Sequence, residues 1–264
     1  MSGQTNATCR AGGMLGGILL SAALAACAGA PSAVAPATLT SVDRGVAPAI
    51  TAFDLYPDRD ADKRYAEVEG AGSGFRREVR RMPDGFEVRS SGEGGVERVL
   101  TLRREGDGSV VLLASREGAR LTMFEGGLVY MPASLGVGQT FEATAPVRVT
   151  ETNDRGQTRD RSSGTATRQV TYVGEAAIEA DVAERLAREF GSGGGPIEPT
   201  ARIVEGLLEL DLDPAKVRTT TVLWVTGRGI VREQQATIVR VFGVAVVESR
   251  GHDVVLVDDA EGGS

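Results

Sequence analysis

The chain's one histidine, His252, stands beside Asp253. An imidazole next to a carboxylate is a pair from which acid–base chemistry can be built. The spacing works against it here. Adjacent residues of a strand point to opposite faces, so the two are kept apart, and the segment reads as a surface hairpin turn near the end of the domain. A nucleophilic serine would need His252 as its base, and no G-x-S-x-G elbow is present to supply one. Carboxylates are more plentiful. Asp58, Asp60 and Asp62 alternate like calcium-loop ligands, and Glu69 falls where the distal glutamate of such a loop belongs. Lys63, however, holds the place of the loop's obligatory glycine, so the stretch reads as a solvated segment. Glu209, Asp211 and Asp213 also alternate and are expected on the wet face of a strand. Carboxylate pairs for glycoside hydrolysis meet only in three dimensions, and the sequence leaves that arrangement open. The two cysteines, Cys9 and Cys27, both lie in the amino-terminal segment. The rest of the chain therefore has no internal disulfide, and with one histidine it has no typical zinc site. Gly227-Arg228-Gly229 is followed by neither a helix pattern nor a lysine–serine/threonine pair, so it is not a phosphate loop. No cofactor is expected, and the domain reads as non-enzymatic.

The elements that must carry these residues are mostly strands. Of the 264 residues, 41% are apolar and 35 are glycine, a balance that favours short strands joined by tight turns. The formal charge of −7 is spread along the chain, which argues against nucleic acid as the main partner. Arg76, Arg77, Arg80 and Arg81 cluster, but alternation in a strand splits them between faces, and a solvated face is expected. Turn signals recur at Pro83-Asp84-Gly85, Glu93-Gly94-Gly95, Gly106-Asp107-Gly108, Glu117-Gly118 and Glu125-Gly126-Gly127. This rhythm marks an antiparallel meander. Phe86 and Val88 alternate with Glu87 and Arg89, giving a strand with one dry face. Val96, Arg98, Leu100 and Leu102 share a face that only Arg98 makes polar. Ser109 to Ala114 is apolar on both faces and reads as a central strand. One stretch breaks the pattern. Ile178, Val182, Leu186 and Phe190 recur every four residues, which predicts one amphipathic helix over 177–190, stopped by Gly191 to Pro196. It is expected to pack on the sheet or cap one end, with a lid over a groove as the alternative. Beyond it, Ile203–Leu212, Arg218–Thr226, Ile230–Val241 and Val254–Val257 are predicted strands.

At the amino terminus, Arg10 precedes a short apolar run that ends in Leu24-Ala25-Ala26-Cys27. A positive residue before such a run is the pattern of an export signal, and the run is too short for a good membrane-spanning helix. Leu24-Ala25-Ala26-Cys27 resembles the lipobox of bacterial lipoproteins at all four positions. The resemblance implies cleavage between Ala26 and Cys27, with lipid attached to Cys27. Ala28, where an aspartate would suggest retention at the inner membrane, implies the outer membrane facing the periplasm. A plain signal cut at an Ala-x-Ala site is the alternative. Residues 27–50 read as a lipidated flexible tether, and 258–264 as an acidic tail.

A second, looser resemblance rests on Trp224-Val225-Thr226-Gly227-Arg228-Gly229-Ile230-Val231. This W-x-x-G-x-G-x-V run is similar to the closing hairpin of bacterial envelope domains with curved antiparallel sheets, and Met131 to Phe141 is similar to another segment of them. The resemblance implies a fold and no reaction. The expectation is a signal peptide at 1–26 and a single mainly β domain over 51–257. Its fold would be a curved antiparallel meander, half-barrel-like, with one helix. Two roles are expected: binding a protein partner or supporting the envelope, or carrying a lipid or other apolar ligand in the concave face. Leu100, Leu112, Phe124, Val129 and Trp224 are the candidate lining of that face. The membrane is reached through the lipid on Cys27, and the oligomeric state is not legible.

Overall fold

The computed structural model describes residues 47–57, 59–68, 74–92, 97–190, 200–242 and 245–261. The expected signal peptide, Cys27 with most of the tether, and the Glu93-Gly94-Gly95 turn lie outside the described residues. The fold is mainly β. Twelve antiparallel strands form one sheet, and the sheet closes on itself into a barrel. The half-barrel expectation is thus corrected: the last strand finds the first, and no open concave face is left.

Two short elements precede the barrel, β1 (Ile50–Thr51) and α1 (Ala52–Leu55). The wall then runs through β2 (Ala61–Glu67), β3 (Phe75–Met82), β4 (Gly85–Gly92), β5 (Arg98–Arg104), β6 (Val110–Glu117) and β7 (Arg120–Met131). A two-residue strand, β8 (Ser134–Leu135), pairs with β1. The wall resumes with β9 (Thr140–Thr152), β10 (Thr158–Ala177), β11 (Thr200–Leu212), β12 (Ala215–Thr226), β13 (Gly229–Val241) and β14 (Ala245–Glu261). Between β10 and β11 lies α2 (Ala180–Phe190). Each wall strand pairs with its chain neighbour in the wall. The ring closes where β14 meets β2, with Val254 opposite Glu67 at one end and Glu261 opposite Ala61 at the other. Asp258–Glu261, expected in a frayed tail, are therefore part of the closing strand, and Ile50, expected in the tether, is fully buried.

Alternation sets the two faces of the wall. Along β9, Ala145, Val147 and Val149 are buried, whereas Glu142, Thr144 and Arg148 are exposed. On β4, Phe86 and Val88 face inward, while Glu87 and Arg89 form an ion pair at 3.0 Å outside. Glu209 and Asp211 stand outside against Arg218 and Lys216, as expected of a wet face. This polarity, dry within and charged without, is the reverse of a barrel that faces lipid. Among the described residues no helix is long and apolar enough to cross a membrane.

Two local readings change. Glu125-Gly126-Gly127 is no turn. It lies inside β7, where both glycines take positive φ (75° and 89°) at a break in register with β6. A Cβ on Gly127 would lie 2.3 Å from Val111, so glycine is what lets β6 and β7 bend together there. The helix is found, beginning at Ala180. It packs along β14 on the outside of the barrel, and its stripe residues Val182 and Leu186 are buried. Beneath it the outer face is dry as well, with Ile203, Trp224 and Val255 all at most 3% exposed.

Candidate functional site

Among the described residues the inside of the barrel is largely apolar, with threonines and Gln235 on β12 and β13 and with charge at three places: Asp54 with Arg202, Arg77 with Glu233, and Arg168. Segment 47–57 enters one mouth. Thr51 caps α1, and its backbone N and Oγ1 donate to Asp54 Oδ2. Arg202 donates to the other oxygen of Asp54 at 3.0 Å. Burial works against the Asp54 charge, but these partners outweigh it and hold the carboxyl below its usual range. The segment is tied further by Ala52 N to Ala133 O and by Arg104 to Tyr56 O. Lys63 donates to the Arg228 carbonyl nearby. These contacts carry Tyr56 inward, where its ring meets Tyr130 with centroids 5.8 Å apart. Burial, and then the neighbouring Tyr130 hydroxyl, push the Tyr56 phenol far above its ordinary value.

Opposite lies a buried ion pair. Arg77 on β3 reaches Glu233 on β13 at 2.8 Å, across β14 and β2. His252 Nε2 lies 3.0 Å from the other Glu233 oxygen. Arg77 also sits over the rings of Tyr65 and Phe75, each 5.2 Å from the centroid. Burial alone would raise the Glu233 pKa, but the Arg77 charge and the His252 and Arg77 hydrogen bonds hold it well below the usual carboxylate range. His252 is thus no turn residue: it stands in β14, points inward and packs edge-on to Phe75 at 5.4 Å. Asp253 points outward, as alternation requires, and with Glu179 clamps Arg232 over Trp224 beneath α2.

A further inner cation is Arg168 on β10, only 4% exposed. Its Nε donates to Tyr130 O at 3.2 Å, and its guanidinium lies 4.4 Å from the Tyr130 ring centre. Among the described residues Arg168 makes no ion pair, and the Nε bond to Tyr130 is its one hydrogen bond. Gly206 on β11 makes room for it: a Cβ there would stand 2.7 Å from both terminal nitrogens. Arginine keeps its charge at any physiological pH. Withdrawing such an ion from water costs on the order of several kcal/mol, whereas a desolvated cation–π contact returns about 2. Arg77 is neutralised by Glu233, whereas Arg168 has no carboxylate partner among the described residues.

The five residues expected to line one face are divided. Leu100, Leu112 and Phe124 do face inward. Trp224 does not. It opposes Arg232 on β13, whereas its neighbour Leu223 opposes the inward Glu233, so the indole lies outside under α2. Val129 opposes Val111 on the outer face of β6 and β7. The Gly126-Gly127 bulge shifts the alternation ahead of it, and counting by twos along the strand does not register that shift. Arg77, Arg168, Glu233 and Tyr56 were missed as site residues. A lone charged residue at an inward position of an alternating strand, such as Arg168 between Ala166 and Val170, is the signal that marks such a residue. Among the described residues no three His, Cys, Asp or Glu side chains are grouped to hold a metal ion. No known family, curated protein or solved structure matches the chain.

Proposed function

We propose that this chain is a non-enzymatic, lipid-anchored envelope protein whose barrel holds an apolar ligand in its interior. One observation carries the ligand. Tyr56, Phe75, Leu100, Tyr130, Ala143 and Leu210 point inward, yet each is only half-buried. Such incompletely covered inward surface supports an interior that a ligand can reach. A ring of about eight strands is just filled by its own side chains, and diameter grows with strand number, so twelve strands enclose more room than side chains need. The anchor rests on the lipobox-like Leu24-Ala25-Ala26-Cys27. It gives cleavage after Ala26, lipid on Cys27 and a place at the outer membrane facing the periplasm, with several acyl chains holding the protein stably. The lumen favours the carrier role over a purely supporting one.

The lumen is tested with the neutral apolar dye N-phenyl-1-naphthylamine and by native mass spectrometry of detergent-free protein. Saturable dye uptake, or a co-purified lipid, is expected. Failure to take up either would overturn the carrier reading. Replacing Cys27 with serine should leave the precursor uncleaved or release the protein from membranes. Unchanged processing and membrane retention would remove the anchor from the proposal.

A further inference from the structure

Arg168 is the one inward-facing cation of the barrel that is both more than nine-tenths buried and without a carboxylate partner among the described residues. Its Nε is spent on the Tyr130 carbonyl, which fixes the plane of the guanidinium. The Tyr130 ring covers one face of that plane at 4.4 Å. What remains is the end of the fork, two terminal nitrogens side by side. A guanidinium fork of this kind matches the two oxygens of a carboxylate in a bidentate pair. On the barrel wall beside Arg168, the paired positions are Ala143 and Leu208. Farther along the same inner face come Ala145, Ala166 and Leu210. These five are apolar, a strip along β9, β10 and β11 that suits hydrocarbon, while on the other side β12 and β13 turn Thr219, Thr221, Gln235 and Thr237 inward.

We propose that Arg168 binds the carboxylate of a long-chain, fatty-acid-like ligand whose apolar tail lies along the inner wall. This rests on the carrier reading and names the chemistry of its ligand. A single positive charge fits a monoanion. A phosphate, with up to two negative charges, would bring excess charge into a lumen that already holds Glu233. A neutral lipid would leave the guanidinium uncompensated. The Nε bond and the ring contact position Arg168, and Gly206 keeps the fork unobstructed.

The test uses the purified full chain loaded with N-phenyl-1-naphthylamine, displaced by dodecanoate, dodecanol or dodecyl phosphate. Dodecanoate is expected to bind about 10- to 100-fold more tightly than dodecanol, the range of one charge-assisted hydrogen-bonded contact. Arg168→Met should erase that difference while still taking up the dye. Arg168→Lys, which keeps the charge without the fork, should retain part of it. The assignment is overturned if dodecanoate and dodecanol bind alike, if dodecyl phosphate binds best, or if R168M keeps the preference. In each of those cases the dye is still bound, and the lumen stands. If the dye is never bound, the carrier reading itself has failed and takes the carboxylate with it.

Discussion

Replacing Glu233 with glutamine removes one charge from the barrel interior and leaves its shape intact. Glu233 is 8% exposed and Arg77 is 16% exposed at the side chain, with 2.8 Å between them. Breaking a buried pair by removing one partner costs about 3–5 kcal/mol, because the other charge is stranded. For a domain of about 200 residues each kcal/mol moves Tm by roughly 2–4 °C, so E233Q should melt about 6–20 °C lower. Differential scanning calorimetry at neutral pH measures this directly. Arg77→Met alone should cost a similar amount, whereas the E233Q/R77M double variant should recover most of the loss, because no charge is then left stranded in the interior. The acid side gives a second reading. Glu233 is held below its ordinary value of 4.5, so its contribution is present in full above that pH and is lost as pH falls toward the depressed folded value. The wild-type protein should lose stability progressively below about pH 4.5, and E233Q should show a shallower decline. A fall in Tm below about 2 °C for E233Q, or a double variant as damaged as the sum of the singles, would refute the view that this pair is a self-compensating unit.

Two further substitutions probe the mouth and the cation. Asp54→Asn weakens both the α1 cap and the Arg202 contact; a loss of about 1–2 kcal/mol is expected, read as faster amide exchange confined to residues 50–56. Gly206→Ala would place a methyl group 2.5 Å from Thr221 Oγ1 and 2.7 Å from the Arg168 terminal nitrogens. It should destabilise by about 1–3 kcal/mol and weaken dodecanoate in displacement assays. Chemical denaturation should show a smaller cost in the R168M background, where the crowding guanidinium is gone; an equal cost in both backgrounds would place the clash elsewhere.

Local chemistry alone determined much of this fold. The turns at Pro83-Asp84-Gly85 and Gly106-Asp107-Gly108, the dry and wet faces of β4, and the stripe of α2 are all set by residues a few positions apart. Such patterns survive in any tertiary setting, because alternation and helical pitch are properties of the backbone. The inward charge was legible as well, as an arginine at an inward position of an alternating strand. Closure was not legible, since nothing near Tyr65 marks Leu256, at the far end of the chain, as its partner. Nor was the fate of Trp224. The end of its strand is dry on both faces, and only the docking of α2 outside decides which of them faces inward. Arg77 and Glu233 lie 156 residues apart, and either alone reads as a solvated charge. Whether a charge is compensated depends on which strands the ring brings together, and that is settled by the whole wall rather than by any stretch of it.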